Sequence, residues 1–421
     1  MDDLTTTTPT TRSRNRSTSA GPKRDLGGPD SSHNGASRRR AGTVARAKGG
    51  PAANGGAPST GTATMSLDLQ DRPGPSGLTA EEIAAFGAEM DRLREEILAS
   101  RGAEDAAYVR RVIETQRRLE AAGRLALFAG ILPPAWIIGT TLLATAKILE
   151  NMEIGHNVMH GQWDWMRDPE IHSTTWEWDN TCPSSQWQHT HNQIHHVWTN
   201  VLYKDRDVGY GLLRITQDQK WSPIYLAQPV YAAVLASLFQ WGVALHDVEV
   251  ERLLNGRADP ATSMERLREV GQKAGRQVLK DYVAFPLLAG PFFLPVLLGN
   301  ATANFVRNVW AFTVIFCGHF PAEVPTFTVE DVVAEDRDGW YVRQVIGSAN
   351  ISGGPLMHLM TGNLSHQIEH HLFPDLPSNR YAEIAPRVRE ACERHGLPYV
   401  TGSLPRQFAS VIGRIWRMAL P

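Results

Sequence analysis

The chain has 421 residues, enough for two or three domains, with 42 Lys and Arg against 44 Asp and Glu and a formal net charge of -2. A balance so close to neutral gives no global signal for nucleic acid. Cys182, Cys317 and Cys392 are widely spaced and form no CxxC pair, which argues against a disulfide framework and fits a reducing compartment.

Residues 1 to about 76 are poor in large apolar side chains and rich in Ser, Thr, Gly, Pro and Arg. Such a segment cannot bury enough apolar surface to offset its chain entropy, so 1–76 reads as a disordered, basic, low-complexity tail. It lacks the apolar core of a secretory signal. Order is expected from Thr79, where Thr79-Ala80-Glu81-Glu82 forms a capping box and Ile83, Phe86, Met90, Leu93 and Ile97 recur at helical spacing. A second amphipathic helix is predicted from about Ala103 to Leu119, with Val109, Val112 and Ile113 on one side. Residues 77–122 are therefore read as cytoplasmic amphipathic helices. Arg110, Arg111, Arg117, Arg118 and Arg124 gather just before the first apolar stretch.

That stretch, 125–149, is interrupted by Pro133-Pro134. It is either one span of about twenty residues or a hairpin with its tip at the prolines. Three more apolar stretches follow at 223–245, 282–298 and 301–318, and the 12 tryptophans suit a membrane–water boundary.

Three histidine boxes punctuate these segments. The first is His156-Asn157-Val158-Met159-His160, the second contains His191, His195 and His196, and the third contains His366, Gln367, His370 and His371. The second and third share the spacing His-x3-His-His, and the first is its shortened form. On a helix, residues four apart lie on one face, so each box can aim imidazoles at one point. Imidazole suits iron, zinc and copper. His319, at the end of the 301–318 stretch, is a further candidate ligand if that segment returns to the same side.

The positive-inside rule places the Arg110–Arg124 cluster and a second one, Arg252 to Lys280, in the cytoplasm. If the boxes form one site, 125–149 must cross twice. The pair 282–298 and 301–318, turning near Gly299-Asn300, must do likewise, which leaves 223–245 interfacial. The expected fold is thus an all-α integral membrane protein with about four transmembrane helices, one interfacial helix and a cytoplasmic helical cap carrying the histidine boxes. Eight or nine imidazoles exceed the six ligands that one ion can take, so two metals are implied. Arg307 lies inside an apolar segment and must face a protein or water-lined interior. The basic residues from Arg380 to Arg417 could meet the phosphates of an acyl-CoA head group.

From about Leu78 to Leu404 the chain resembles the membrane-bound fatty acid desaturases. The likeness rests on Asn151-Met152-Glu153-Ile154-Gly155-His156 continuing to Trp165, on His195-His196 with Thr199-Asn200, and on Asp207-Val208-Gly209-Tyr210-Gly211. It also rests on Gly318-His319-Phe320-Pro321 and His366-Gln367-Ile368-Glu369-His370-His371-Leu372-Phe373-Pro374. The resemblance implies a desaturase domain over 123–404, a C-terminal tail over 405–421, and a di-iron centre. Its ligands would be His156, His160, His191, His195, His196, His319, His370 and His371. For one further ligand, the spacing shared with the second box favours His366, whereas the Gln-x2-His-His pattern of related desaturases favours Gln367. The reading leans to His366 and leaves both open.

The implied reaction is oxygen-dependent desaturation of a saturated acyl-CoA, stearoyl-CoA at delta-9 being the expected case. Two electrons would come from NADPH through a separate reductase, since no cytochrome, flavin or iron–sulfur motif is present. The implied setting is the cell's inner membrane, multi-pass, with the site on the cytoplasmic face. A hydroxylase on the same scaffold is the alternative.

Overall fold

A computed structural model of the chain describes residues 76–249, 253, 256 and 259–421. The expected disordered tail, Ser76 apart, and Arg252 and Arg257 of the second basic cluster lie outside them.

Helix α1 (Ala80–Ser100) begins as expected: Glu82 N–H donates to Thr79 Oγ1 at 3.3 Å, and Thr79 N–H donates back to Glu82 Oε2 at 2.8 Å. Its apolar stripe, Phe86, Met90, Leu93 and Ile97, is almost fully buried. Each such side chain contributes about 1.5–3 kcal/mol at most. This stripe packs on the helical cap, where Tyr341 Oη donates to Asp91 at 2.7 Å and Arg94 pairs with Asp375.

Helix α2 (Ala103–Phe128) runs on beyond the predicted Leu119 to the edge of the prolines, and α3 starts at Pro133 (Pro133–Leu149). The 125–149 stretch is therefore a hairpin. Two glycines let its helices approach closely: a Cβ on Gly123 would sit 2.8 Å from Leu143 N, and one on Gly139 would sit 2.9 Å from Leu127 N. Helix α3 continues through a π-helical stretch, Glu150–His156, into the first box. Helix α4 (Ser184–Gln188) likewise opens into a π-helical stretch, His189–His195, in the second box.

The 223–245 stretch forms a short 3-10 turn, then α5 (Gln228–Ser237) and α6 (Phe239–Asp247), with a bend of 97° between the two halves. Helix α7 (Pro260–Val278) runs on through Leu279–Ala284 and Phe285–Leu288. The expected turn at Gly299-Asn300 is not there. The chain reverses at Gly290–Phe292, and α8 (Phe293–His319) is one helix that carries Gly299 and Asn300 inside it. Gly290 takes φ 56°, which glycine adopts without strain, and Pro291 cannot continue the preceding helix's hydrogen bonds. Gly299 serves packing instead, because a Cβ there would meet Leu127 Cδ2 at 2.5 Å.

Among the described residues no single helix is long and apolar enough to cross a membrane by itself, though the bent α5–α6 pair has the length and composition together.

The cap comprises α9 (Arg337–Ile346), α10 (Pro355–Met360), α11 (Gln367–Leu372), α12 (Tyr381–Arg394) and α13 (Leu404–Ala419). The fold is not wholly helical: β1 (Asn350–Ser352) pairs in parallel with β2 (Thr401–Ser403). Residues 405–421, expected as a tail, are mostly α13. This helix buries Val411 and Ile415 and is fixed by Arg414 donating to Ile215 O and Val324 O, both at 2.9 Å.

Candidate metal centre

The boxes converge because the segment after α10 seats directly on box 1. Gly362 adopts φ +71°, and a Cβ there would lie 2.4 Å from Met152 O, so only glycine permits this approach. Asn157 Nδ2 donates to Gly362 O at 3.0 Å. Glu153, one helical turn earlier, accepts from Tyr108 Oη at 2.8 Å, Asn363 Nδ2 at 2.9 Å and Ser378 Oγ at 2.7 Å. One buried carboxyl thus ties α2, box 1 and both flanks of box 3.

Two clusters of nitrogens result. His156, His160, His191 and His370 bring one ring nitrogen each within 4.8 Å of one another, and so do His195, His319 and His371. His196 belongs to a third grouping with His370 and His371 and lies between the first two. Its ring stacks on His371 at 4.3 Å between centroids.

The π-helical stretches alter the expected α-helical aim. Their wider turn brings residues five apart together, so His196 Nε2 faces His191 Nε2 at 3.3 Å while His195 stacks on His191 at 5.0 Å. Helical spacing of four alone would have joined His191 to His195.

His366 is not among these nitrogens. It lies at the turn before α11, stacks on His358 at 4.4 Å, and stands with Nδ1 3.9 Å from Glu369. Gln367 starts the helix that carries His370 and His371, and its side-chain Nε2 is 3.0 Å from His319 Nε2. The geometry favours Gln367 over His366, because α11 begins after His366 and turns it away. His189, two residues before box 2, turns to Gln193 at an exposed position.

The outer partners were not read from the sequence. His195 Nδ1 is 3.0 Å from Asp205, and His371 Nδ1 is 2.9 Å from Gln344 Oε1. His370 Nδ1 is 3.3 Å from Tyr381 Oη. Asp207 lies 3.8 Å from both His191 and His195, and 3.2 Å from His246 Nε2. Metal-binding histidines commonly donate their second N–H to such groups, so two aspartates shortly after box 2 were the available signal.

Burial sets the charge of the site. It holds His156, His160, His196, His370 and His371 well below the ordinary imidazole value, and the neighbouring rings add to the effect. His191 is pushed down to about 4 by burial, against the pull of Asp207. His195 alone goes up: burial lowers it, but Asp205 and Asp207 together outweigh that. Each neutral ring has one nitrogen with a free lone pair. His156 Nε2 and His370 Nε2 are 3.2 Å apart, and buried His160 Nε2, His371 Nε2 and Gln367 Oε1 have no hydrogen-bond partner among the described residues. Such a set is satisfied by cations, and nitrogen donors of this kind suit first-row transition metals.

A cavity adjoins the clusters. Its walls include His156, His191, His195, His319 and Gln367, and also Met152, Trp178, Tyr210, Phe239, Val243 and Ile315. Arg307 borders it too, fully buried and donating to Asn151 Oδ1 at 3.2 Å, Asp179 O at 2.9 Å and Gln240 Oε1 at 2.5 Å. The expected protein interior for this arginine is what surrounds it.

A family model for fatty acid desaturases matches residues 131–403. The chain belongs to the fatty acid desaturase family. This desaturase is 51% identical over 348 residues to the NADPH-dependent stearoyl-CoA 9-desaturase of Mycobacterium tuberculosis, covering 82% of each chain. It is 25% identical over 288 residues to the sn-1 linoleoyl-lipid 6-desaturase of Synechocystis, covering 67% of this chain and 79% of that one. A 248-residue match at 27% identity, covering 55% of this desaturase and 46% of the relative, links it to a fatty acid desaturase 2-like protein of Mus musculus.

Proposed function

We propose that the chain desaturates a long-chain acyl-CoA, stearoyl-CoA at delta-9, at a di-iron centre held by these histidines. The observation that carries the reading is the pair of adjacent, buried nitrogen clusters bordering a cavity walled in part by apolar side chains. The substrate follows from the likeness to the mycobacterial enzyme.

His156, His160, His191 and His370 would hold one iron, and His195, His319 and His371 the other, with His196 between them and Gln367 beside His319. When bound, the two irons supply the electron capacity to reduce dioxygen and take hydrogen from an unactivated C–H bond. The protein's own residues do the rest. Asp205, Gln344 and Tyr381 fix the orientation of His195, His371 and His370. Met152, Tyr210, Phe239 and Ile315 give an acyl chain an apolar seat and exclude water from beside the centre.

The overall change converts a –CH2–CH2– unit and one dioxygen, with two electrons and two protons, into a cis –CH=CH– unit and two waters. The electrons would come from NADPH through a separate reductase. We place the enzyme at the inner membrane of the cell, with its centre on the cytoplasmic side where acyl-CoA and reductase are found.

The test is gas chromatography–mass spectrometry of fatty acids from membranes given stearoyl-CoA, NADPH, a reductase and oxygen, with wild type and His371→Ala run side by side. The expected product lacks two hydrogens, needs oxygen and is absent from the variant. A product that gains an oxygen atom instead would point to hydroxylation. Product formation by His371→Ala at the wild-type rate would overturn the assignment of the centre.

A further inference from the structure

Helix α13 carries three kinds of surface. Gln407, Val411, Ile415 and Met418 are buried against the fold. Phe408, Ile412 and Trp416 recur at a spacing of four on the adjoining sector, where Phe408 and Ile412 are half-buried and Trp416 is 61% exposed. Arg406, Gly413 and Arg417 form the third sector, in solvent. A helix on a soluble protein needs only a core face and a water face, whereas one at a membrane surface also presents an apolar face to lipid.

A groove runs beside the middle sector. Its opposite wall is α5, which contributes Pro229 and three alanines, Ala232, Ala233 and Ala236, whose short side chains leave the space open. Phe312 of α8 also lines it. The groove has a volume of about 180 Å³, and all nine residues around it are apolar, so an ordered water finds no partner there. Apolar cavities of ~150 Å³ stay dry and take up hydrocarbon instead. The rim has the same character: no Asp, Glu, Lys or Arg occurs from Trp221 to His246, and Val230 and Val234 on α5 are 63% and 53% exposed.

Unpaired positive charge gathers at one end. Trp221 Nε1 donates to Ala419 O at 2.9 Å and Gln228 Nε2 to Ile415 O at 2.6 Å, so the start of α5 is tied to the end of α13. Lys220, next to Trp221, and Arg417, two residues before Ala419, are both exposed. Arg414, one turn earlier, gives its hydrogen bonds to Ile215 O, Pro321 O and Val324 O at 2.8–2.9 Å, all of them carbonyls. Burial and the charge of Arg417 push its guanidinium down to about 10. The acids nearest in sequence are engaged elsewhere: Asp218 accepts from Thr216 Oγ1 at 2.9 Å, and Glu323 stands 3.8 Å from Arg406. Lys220, Arg414 and Arg417 thus have no carboxylate partner among the described residues. Cations without acids, at the end of an apolar groove, match an anionic lipid, with its phosphate on the cations and its chain in the groove.

We propose that the groove between α5 and α13 binds one anionic phospholipid. An acyl chain lies against Ala233, Ala236 and Trp416, and the head-group phosphate meets Arg417 and Lys220. This site shares no lining residue with the histidine-lined cavity, so it is distinct from the seat of the reacting chain. The bound lipid fixes the helical cap to the membrane surface. The proposal rests on the membrane location given above.

The test is native mass spectrometry of the full-length protein in detergent, incubated with dioleoylphosphatidylglycerol or dioleoylphosphatidylcholine. Wild type is compared with Ala233→Phe and with the double variant Lys220→Glu, Arg417→Glu. Wild type is expected to retain one phosphatidylglycerol at a roughly 10-fold lower lipid concentration than phosphatidylcholine. Ala233→Phe fills the groove and should lose retention of both lipids. The double variant should still take a chain but lose the preference. Equal retention of the two lipids by wild type would overturn the proposal. Lys220 and Arg417 are exposed, so the double variant keeps its fold; a preference equal to that of wild type sinks the proposal whatever Ala233→Phe does. Fractionation of the expressing cells separates this site from the reading beneath it. Protein in the membrane fraction without a phosphatidylglycerol preference removes the site alone, whereas protein in the soluble fraction removes the membrane location with it.

Discussion

His156 and His370 are 214 residues apart in sequence, yet their Nε2 atoms face each other at 3.2 Å in a fully buried site. Burial keeps both rings neutral, so each has a lone pair that a cation could take, and the two nitrogens can otherwise meet as donor and acceptor of one N–H.

Replacing His370 by alanine should therefore separate function from stability. Turnover is expected to fall by more than the roughly 10- to 100-fold typical of outer-shell changes, with bound iron reduced in parallel. In the presence of chelator the variant should unfold no more easily than wild type by more than the cost of a small cavity, about 1–2 kcal/mol. Metal analysis and thermal unfolding with and without chelator check this. A variant that keeps its full iron content would remove His370 from the ligand set.

His366 and Gln367 are adjacent but should respond in opposite ways. Gln367 reaches His319, so Gln367→Ala is expected to lower turnover by roughly 10-fold or more. His366 stacks on His358 outside the clusters, so His366→Ala should retain iron and most of the activity. Iron content and initial rates of both variants decide between them.

Glu153 predicts a pH dependence of stability. Burial pushes its carboxyl up to about 7 from an ordinary 4.5, and the hydrogen bonds from Ser378, Tyr108 and Asn363 offset only part of that. Between these values the folded protein binds more proton than the unfolded chain. The stability associated with protonated Glu153 is therefore complete below about 4.5 and is lost as pH rises through about 7. Glu153→Gln, which keeps an acceptor for Tyr108 and Ser378, should lose that slope. Its stability relative to wild type should rise between pH 5 and 8 by up to a few kcal/mol. Unfolding by denaturant across that range is the measurement, and parallel curves would contradict the assignment.

Gly139 tests the close packing of the first hairpin. A side chain there would strike the Leu127 and Gly123 backbones, at 2.9 and 3.0 Å from its Cβ, and neither can move without parting the helices. Gly139→Val should cost about 1–3 kcal/mol or more. Gly413, inside α13, has open space around it, so Gly413→Ala should cost nothing and raise stability by about 0.5–1 kcal/mol through helix propensity. The melting temperatures of the two purified variants give the comparison.

Much of this protein was legible in the amino-acid sequence itself. The Thr79 cap, the stripe from Phe86 to Ile97, the break at Pro133-Pro134 and the three boxes follow from local rules: side-chain period, capping hydrogen bonds and the missing N–H of proline. Eight of the ten candidate ligands lie in the clusters because ligand chemistry and spacing are written in the chain itself. What only the tertiary structure decided depends on contacts between distant segments. Gly299 and Asn300 read as a turn, yet α8 runs through them because Gly299 packs on Leu127. His366 matched the spacing of box 2, yet the start of α11 turned it away and gave Gln367 the place beside His319. The pairing of His371 with Gln344 arises where two separate helices meet. No periodicity in one segment encodes where another will pack against it.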